Sequence, residues 1–493
     1  MYLGLLYKAT LESGVMRYKF KYQPYEHQLN ALTKSWNKSE FAYFMDMGTG
    51  KSKVLIDNMC ILYDRGEITG ALIIAPKGVY RNWEKGELPT HIPDHVIHDI
   101  VLWNPSQTKK QIEIQRKLFF PDDNLKIFVM NVEALSTKKG ADMAERFLVA
   151  HDALMAVDES TTIKNKDAKR TKTIVSLGKH AKFRRILTGS PVTKSPMDLY
   201  SQCEFLDPWL LGHSSFFSFQ HEYAVIQRRT MGAHSFNHIV GYRNLEKLTS
   251  LLNKFSYRVK KEDCLDLPDK VYVKRTVELT KEQRSVYDSL KTFAMALLEE
   301  GSVSTDTILT QLLRMQQVCS GHVKTDDGVL KTFDSAKLPE LMSILEETDG
   351  KVIIWATFTH DILEIQKAIT EKYGEQSVAT YYGETECDER QEIVNRFQDP
   401  NNGLVYFIGQ PRTGGYGLTL TEAKTIIYYS NNFDLEVRLQ SEDRAHRIGQ
   451  NSKVTYIDII AENTTDERVL KALRNKINIA SQVLAEDFRD WIV

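Results

Sequence analysis

Cysteine, net charge and long apolar runs are all scarce in this 493-residue chain. Its five cysteines (Cys60, Cys203, Cys264, Cys319 and Cys387) lie far apart. They show neither C-x-x-C spacing nor a zinc set, so a reducing compartment is the expectation. The 64 basic and 65 acidic residues nearly cancel. That balance excludes a global electrostatic footprint for nucleic acid, and any such face must come from local clustering. No apolar run approaches membrane-spanning length, and the leading MYLGLLYKATLESG has too short an apolar core and no basic leader for a secretory signal. The expected location is therefore the cytoplasm, with no membrane partner. What is present is an ordinary hydrophobic content of 42%, in a chain long enough for two or three domains with sizeable cores.

The most informative stretch is Phe41 to Ser52, FAYFMDMGTGKS, where an apolar run stops at glycines and then at Lys51-Ser52. A strand followed by such a loop offers backbone N–H groups on Gly48, Thr49 and Gly50, an ammonium on Lys51 for the outer phosphates, and a hydroxyl on Ser52 for Mg²⁺. This is Walker A chemistry, yet the strict G-x-x-x-x-G-K-[ST] pattern fails because Met45 stands at its first glycine. A Gly-rich turn opening a helix is the competing reading. Upstream, Gln28 begins a helical pattern with Leu29, Leu32 and Trp36. Its amide offers a donor and an acceptor to an adenine edge, or simply faces solvent.

After a helix over about Lys51 to Tyr63 come the short runs ALIIA (71–75), KIFVMN (126–131), ALMAVD (153–158) and Arg185 to Thr188. Apolar strands alternating with helices predict a parallel sheet covered on both faces, with functional groups at the carboxyl ends. One run ends in Asp158-Glu159: an aspartate for Mg²⁺ and a glutamate for an attacking water, or else merely an acidic turn. The phosphate loop in the same sheet favours the former. The following segment, Ile163 to Arg185, holds nine basic residues against Asp167 alone. It reads either as a phosphate-contacting face or as a solvated helix.

From about Pro208 to Gly350 the alternation lapses into helical stretches, at Phe216 to Tyr223, Asn244 to Phe255, Glu282 to Glu299 and Thr307 to Cys319. The Phe216-Phe217-Phe219 cluster reads as core rather than a base-stacking platform. Strand candidates resume at Val352 to Trp355, Val378 to Tyr382, Leu404 to Ile408, Thr425 to Tyr429 and Val454 to Ile459. This second α/β region has no lysine-bearing phosphate loop. It has Gly414-Gly415-Tyr416-Gly417 and, later, Arg444 and Arg447 three residues apart on one face. Directed at a nucleotide they serve as arginine fingers; otherwise they form a salt-bridge cluster with Glu442 and Asp443.

The ordered set, from about Tyr25 to Gln450, resembles the ATPase core of helicase superfamily two, in particular the Swi/Snf-type double-stranded DNA translocases. Met45-Asp46-Met47-Gly48-Thr49-Gly50-Lys51-Ser52 stands where that family has D-E-M-G-L-G-K-T. The family's strand with an N-W turn matches Ile73 to Trp83, its D-E-x-x-x-x-K-N matches Asp158, Glu159, Lys164 and Asn165, and its L-T-G-[ST]-P matches Leu187 to Pro191. Further on, Gly383, Thr385, Glu389-Arg390-Gln391 and Phe397 match, as do Arg412, Gly414, Gly415, Gly417 and Leu418. The string Asp443-Arg444-Ala445-His446-Arg447-Ile448-Gly449-Gln450 is specific to this branch. Two departures stand out. D-E-A-H reads Asp158-Glu159-Ser160-Thr161, without the histidine that links ATP chemistry to neighbouring motifs, and W-N-P reads Asn432-Phe433-Asp434.

The resemblance implies an α/β fold of two tandem RecA-like parallel-sheet domains: an ATP-binding domain at 1–208, a helical elaboration and linker at 209–350, and a second RecA-like domain at 351–493. It implies a compact, monomeric, stand-alone motor of phage or bacterial kind, a DNA-stimulated ATPase using ATP and Mg²⁺ and moving on double-stranded or branched DNA. Gln28 would then read adenine, while Lys51 and the Gly48, Thr49 and Gly50 amides hold phosphates. Ser52 and Asp158 take Mg²⁺, Glu159 positions water, Arg444 and Arg447 complete the site, and Gly417 and Gln440 lie at the same cleft. Arg81, Lys164, Lys194, Thr385 and Arg412 are the nucleic-acid candidates. A strand-separating DNA or RNA helicase and a nucleotide-controlled DNA clamp without turnover remain as alternatives.

Overall fold

The computed structural model describes residues 18–77, 79–106, 108–231, 234–264, 268–300, 305–414, 418–447, 450 and 452–484. The chain divides into two compact units, the first holding the described residues of 18–225, 241–264 and 479–484, the second those of 226–240 and 268–478.

In the first unit β1 (Glu40–Met45), β2 (Gly70–Ala75), β3 (His98–Leu102), β4 (Leu125–Asn131), β5 (Ala153–Asp158) and β6 (Phe183–Thr188) follow one another with helices between them. Next in the chain are a separate two-stranded sheet, β7 (Ala224–Met231) with β8 (His234–Tyr242), and then β9 (Ser256–Val259). The main sheet runs β3-β4-β2-β5-β6-β1-β9 and is parallel throughout. All six residues of β2 and of β5 are buried, as strands covered on both faces require. β3 sits at an edge with only Val101 buried, which explains why its sequence HDIVL carries so weak a strand signal.

The second unit has β10 (Lys270–Val277), a small antiparallel pair β11 (His322–Lys324) and β12 (Leu330–Thr332), then β13 (Lys351–Trp355), β14 (Val378–Tyr381), β15 (Tyr406–Gly409), β16 (Ala423–Tyr428) and β17 (Val454–Ala461). Its main sheet runs β10-β17-β16-β13-β15-β14, again parallel. Two hydrophobic clusters pack on it, one around Ile354, Ile365 and Ile459, the other around Trp355, Phe407 and Tyr456.

Helices Phe216–Tyr223, Leu245–Phe255, Lys281–Glu300 and Thr305–Cys319 occupy the middle stretch. That stretch also feeds both sheets, since β9 pairs with β1 and β10 pairs with β17. Within the phenylalanine cluster Phe219 is buried against Tyr200 and Tyr223, but Phe217 is 76% exposed.

Part of the basic run belongs to the fold rather than to a phosphate face. Arg184 pairs with Glu40 at 2.7 Å. Arg185 is fully buried; its Nη2 donates to the carbonyls of Ser35 and Lys38 at 3.0 and 2.8 Å, and its Nε donates to Asn58 Oδ1 at 2.9 Å. Both lie opposite the start of β1, the far end from its loop. The correction has a physical cause: a long arginine can satisfy several buried carbonyls at once, which the sequence pattern does not distinguish from surface charge.

The helix Lys51–Asp64 is buried almost throughout, including Lys53 and Asp57. These two pair at 2.5 Å, yet burial outweighs the lysine's attraction and pushes the Asp57 carboxyl up to about 6. The folded chain thus holds this proton more tightly than the unfolded chain does. The resulting stability is present below the ordinary value of 3.8 and is lost as pH rises to about 6. Asp57→Asn is expected to remove up to about 3 kcal/mol of that pH dependence. Parallel thermal melts from pH 4 to 7 check this; a profile of Tm against pH identical to that of the unsubstituted chain would refute it.

Candidate nucleotide-binding site

The strand order β5-β6-β1 places three carboxyl ends side by side, with Asp158 opposite Leu187 and Phe44 opposite Thr188. The acid pair, the L-T-G-S-P turn and the phosphate loop are therefore neighbours, at the edge where open parallel sheets bind ligands.

After β1 the chain turns through Asp46 to Gly50, and Gly48 and Gly50 take φ of 81° and 86°, which favour glycine. A Cβ at Gly50 would lie 2.2 Å from Gln28 Nε2, so a side chain there would have to displace the Gln28 amide. The following helix has no side-chain cap and no acidic residue in its first turn, so its leading N–H groups and positive dipole end serve the loop. Lys51, only 9% exposed, opens that helix with Nζ 3.4 Å from the Asp46 carbonyl. Ser52 follows in the same first turn. Thr49 Oγ1 donates to the Asp46 carbonyl at 2.8 Å, closing the loop on itself.

Gln28 sits on this loop. Its Nε2 donates to the Thr49 carbonyl at 3.1 Å and its Oε1 accepts from the Tyr25 N–H at 3.0 Å, while His27 Nε2 lies 2.9 Å from the same Thr49 carbonyl. The amide thus fastens the helix Glu26–Ser35 to the phosphate loop, a role its spacing in sequence does not reveal.

Asp158 ends β5 with its carboxylate buried and accepts from Trp83 Nε1 at 3.0 Å. Burial raises its pKa, opposed by the Lys51 charge and the Trp83 hydrogen bond. Glu159 follows with φ 47° and ψ 61°, a left-handed conformation uncommon outside glycine, and opens the short turn Ser160–Ile163. Strained backbone of this kind persists where the surroundings hold it in place.

Sequence reasoning missed Arg258. It pairs with Asp46 at 2.9 Å and its Nη1 donates to the carbonyls of Phe44 and Gly189, each at 3.1 Å. The Lys261 N–H also donates to Asp46, at 3.0 Å. β9 therefore braces the phosphate loop against the L-T-G-S-P turn. The only available signal was the four-residue run SYRV after an amphipathic helix.

The nucleic-acid candidates of the first unit, Arg81, Lys164 and Lys194, follow β2, β5 and β6 in turn. Arg81 is exposed on a short helix after β2, Lys164 donates to Thr193 Oγ1 at 2.7 Å, and Lys194 is exposed beside it. In the second unit Arg412 is largely exposed, 3.6 Å from Asp434. Thr385 is buried; its hydroxyl accepts from the Tyr382 N–H at 3.0 Å and donates to the Thr380 carbonyl at 3.3 Å, closing its own turn.

The helix Leu435–Glu442 leads into Arg444 and Arg447. Arg444 is 1% exposed, with Nε donating to the Gln440 carbonyl at 2.8 Å and Nη1 to the Leu418 carbonyl at 3.1 Å. Arg447 is half-buried and donates to the same Leu418 carbonyl at 3.2 Å. Gln440 Nε2 donates to Glu436 at 3.3 Å. Gly417 lies outside the described residues.

Two parallel-sheet units, one carrying a lysine-bearing phosphate loop beside an acidic strand end, define the class of P-loop proteins with tandem RecA-like cores. The SNF2-related domain profile matches residues 27–323, and that of the helicase conserved C-terminal domain matches residues 336–449. The chain belongs to the SNF2-related family. It is similar to the "Uncharacterized ATP-dependent helicase MG018" of Mycoplasma genitalium, with 27% identity over 90% of this chain and 40% of that protein. It is also similar to the "CHD3-type chromatin-remodeling factor PICKLE" of Arabidopsis thaliana, with 25% identity over 94% of this chain and 34% of the other. Among solved structures, the Sulfolobus solfataricus SWI2/SNF2 ATPase core in complex with dsDNA matches over 95% of each chain, at 24% identity and a TM-score of 0.42. The chain thus spans well under half the length of these curated relatives. Among the described residues no helix is long and apolar enough to cross a membrane.

Proposed function

We propose that this protein is an ATP-driven motor that moves along duplex DNA and remodels forks, branches or protein–DNA complexes. The observation that carries the reading is the convergence, on adjacent strand ends, of an uncapped helix start with Lys51, the buried Asp158-Glu159 pair and the L-T-G-S-P turn. Family membership supports it.

In this reading Lys51 and the amides of Gly48, Thr49 and Gly50 hold the β- and γ-phosphates. Gln28 keeps the loop in shape and presents its amide to adenine. Ser52 and Asp158 fit Mg²⁺, a hydroxyl and a buried carboxylate forming a hard oxygen donor set. When bound, that ion supplies charge neutralisation on the phosphate oxygens. Trp83 fixes the Asp158 rotamer, and Glu159 orients the attacking water. In the same reading Arg447 supplies positive charge to the γ-phosphate. The buried Arg444 braces the turn that carries Arg447 by donating to the Gln440 and Leu418 carbonyls. Arg81, Lys164, Lys194 and Arg412, with Thr385 shaping its turn, contact DNA phosphates without reading sequence.

ATP turnover measured with double-stranded DNA, single-stranded DNA and RNA tests the proposal. Stimulation greatest with duplex, and falling steeply as salt rises, is the expected result. A preference for single strands or RNA points to a strand-separating helicase, and binding without turnover to a clamp; either outcome overturns the translocase reading.

A further inference from the structure

The turn after β5 reads Asp158-Glu159-Ser160-Thr161, and its Ser160, at the alanine position of D-E-A-H, is tied to a distant helix. Ser160, the residue after the strained Glu159, is fully buried and donates its hydroxyl to Gln202 Oε1 at 2.7 Å. Gln202 is also fully buried, on the helix Leu199–Leu206, and spends both Nε2 hydrogens on backbone, one to the Pro191 carbonyl at 2.8 Å and one to Asp198 at 2.7 Å. One amide thus joins the acid pair's turn to the final residue of L-T-G-S-P.

A second, parallel set of bonds runs beside it. Ser201, the neighbour of Gln202, donates to the carbonyls of Ile163 and Lys164 at 2.8 and 2.9 Å. Lys164 Nζ reaches Thr193 Oγ1 at 2.7 Å, and the Thr193 hydroxyl donates to Asp198 Oδ2 at 3.1 Å. That carboxylate oxygen also accepts the N–H groups of Thr193 and Lys194, at 2.9 and 2.7 Å. Lys164 and Lys194, the two lysines on this surface assigned to DNA phosphates, therefore share a buried polar lattice with the turn that holds Glu159.

We propose that Gln202, through Ser160, is the positioning residue that couples DNA contact at Lys164 and Lys194 to the pose of Glu159. The physical ground is the strained left-handed backbone of Glu159, which needs an external restraint. The restraint next to it in the chain is the Ser160 hydroxyl. A fully satisfied buried amide has one low-energy arrangement, so displacement of the Pro191–Lys194 segment by DNA is felt at Ser160 rather than absorbed. The inference rests on the DNA-motor reading, and its test separates the two.

The full chain is assayed for ATP turnover with and without duplex DNA as wild type, Ser160→Ala, Gln202→Met and the double variant. The expected result is a fall of about tenfold in the ratio of stimulated to basal turnover in each single variant. Basal turnover falls by less than the stimulated rate, KM for ATP stays near wild type, and the double variant is no worse than Gln202→Met, as for two residues acting as one unit. An unchanged ratio accompanied by a lower Tm shows packing alone and overturns the coupling role. So does a parallel fall of basal and stimulated rates. Should Gln202→Met not fold, Ser160→Ala, which deletes a single oxygen, decides the question by the same ratio. A wild type indifferent to duplex DNA overturns both readings, whereas a responsive wild type with unaltered variants overturns the relay alone.

Discussion

Lys51→Ala is expected to abolish ATP hydrolysis, by about a thousandfold or more, and to weaken nucleotide binding. The expectation follows from where the ammonium sits. Lys51 is nearly buried at the start of a helix whose first turn has no acidic residue, and its charge acts on the buried Asp158. Removing it takes away the positive charge aimed at the phosphates and leaves the burial of the Asp158 carboxylate offset only by its hydrogen bonds. The methyl side chain puts nothing in the ammonium's place. The variant should still fold, because the helix is held by its apolar residues Val54, Leu55, Ile56, Met59 and Leu62. Steady-state ATPase assays beside a fluorescent-nucleotide titration measure both effects. Turnover within tenfold of wild type would sink the phosphate-loop assignment.

The second large effect is expected at Arg447. Arg447→Ala should leave ATP binding largely intact while turnover falls by about a thousandfold, the range associated with loss of an arginine finger. Arg444→Ala should behave differently. Its guanidinium is buried and donates to carbonyls of Gln440 and Leu418, so its removal leaves buried acceptors unpaired and lowers Tm. Arg447 is half-buried rather than buried and donates to the Leu418 carbonyl at 3.2 Å, so its removal is expected to cost less Tm. A stable Arg447→Ala protein with normal turnover would make that arginine structural as well. Comparing the two variants by melting temperature and by kcat separates a finger from a brace.

How much could be read from the residues differs between the parts of the site. Ten strand candidates were marked by apolar runs, and each lies on or beside a strand of the two main sheets, because strands buried on both faces leave an unbroken hydrophobic pattern. β3, β9 and β10 escaped. All three are edge strands, and an edge needs only one covered face or mixes charges among its apolar residues, as KVYVKRTV does. Lys51, Ser52, Asp158 and Glu159 were visible because phosphate and metal chemistry admit few residue types at fixed spacing. Arg258 and Gln202 were invisible, since each acts on a partner far away in the chain. Arg185 was read as part of a basic face although it is buried, because charge in a sequence does not say which carbonyls surround it.

The D-R-A-H-R-I-G-Q string illustrates the same division. It identified the family outright, yet several of its side chains hold the second unit together: His446 bonds the Pro268 carbonyl at 2.8 Å, and Gln450 bonds those of Thr421 and Ala423 at 2.9 and 3.0 Å. By itself, the sequence determined the class of fold and the family, and it placed the candidate phosphate loop and acid pair, because these depend on local periodicity and on residue type at short range. Only the tertiary structure decided which polar groups brace that chemistry. Arg258 on Asp46, Trp83 on Asp158, and Ser160 on Gln202 are hydrogen bonds between residues 42 to 212 positions apart. Such pairings arise from strand order, and strand order is fixed by the packing of the whole sheet rather than by any local run of residues.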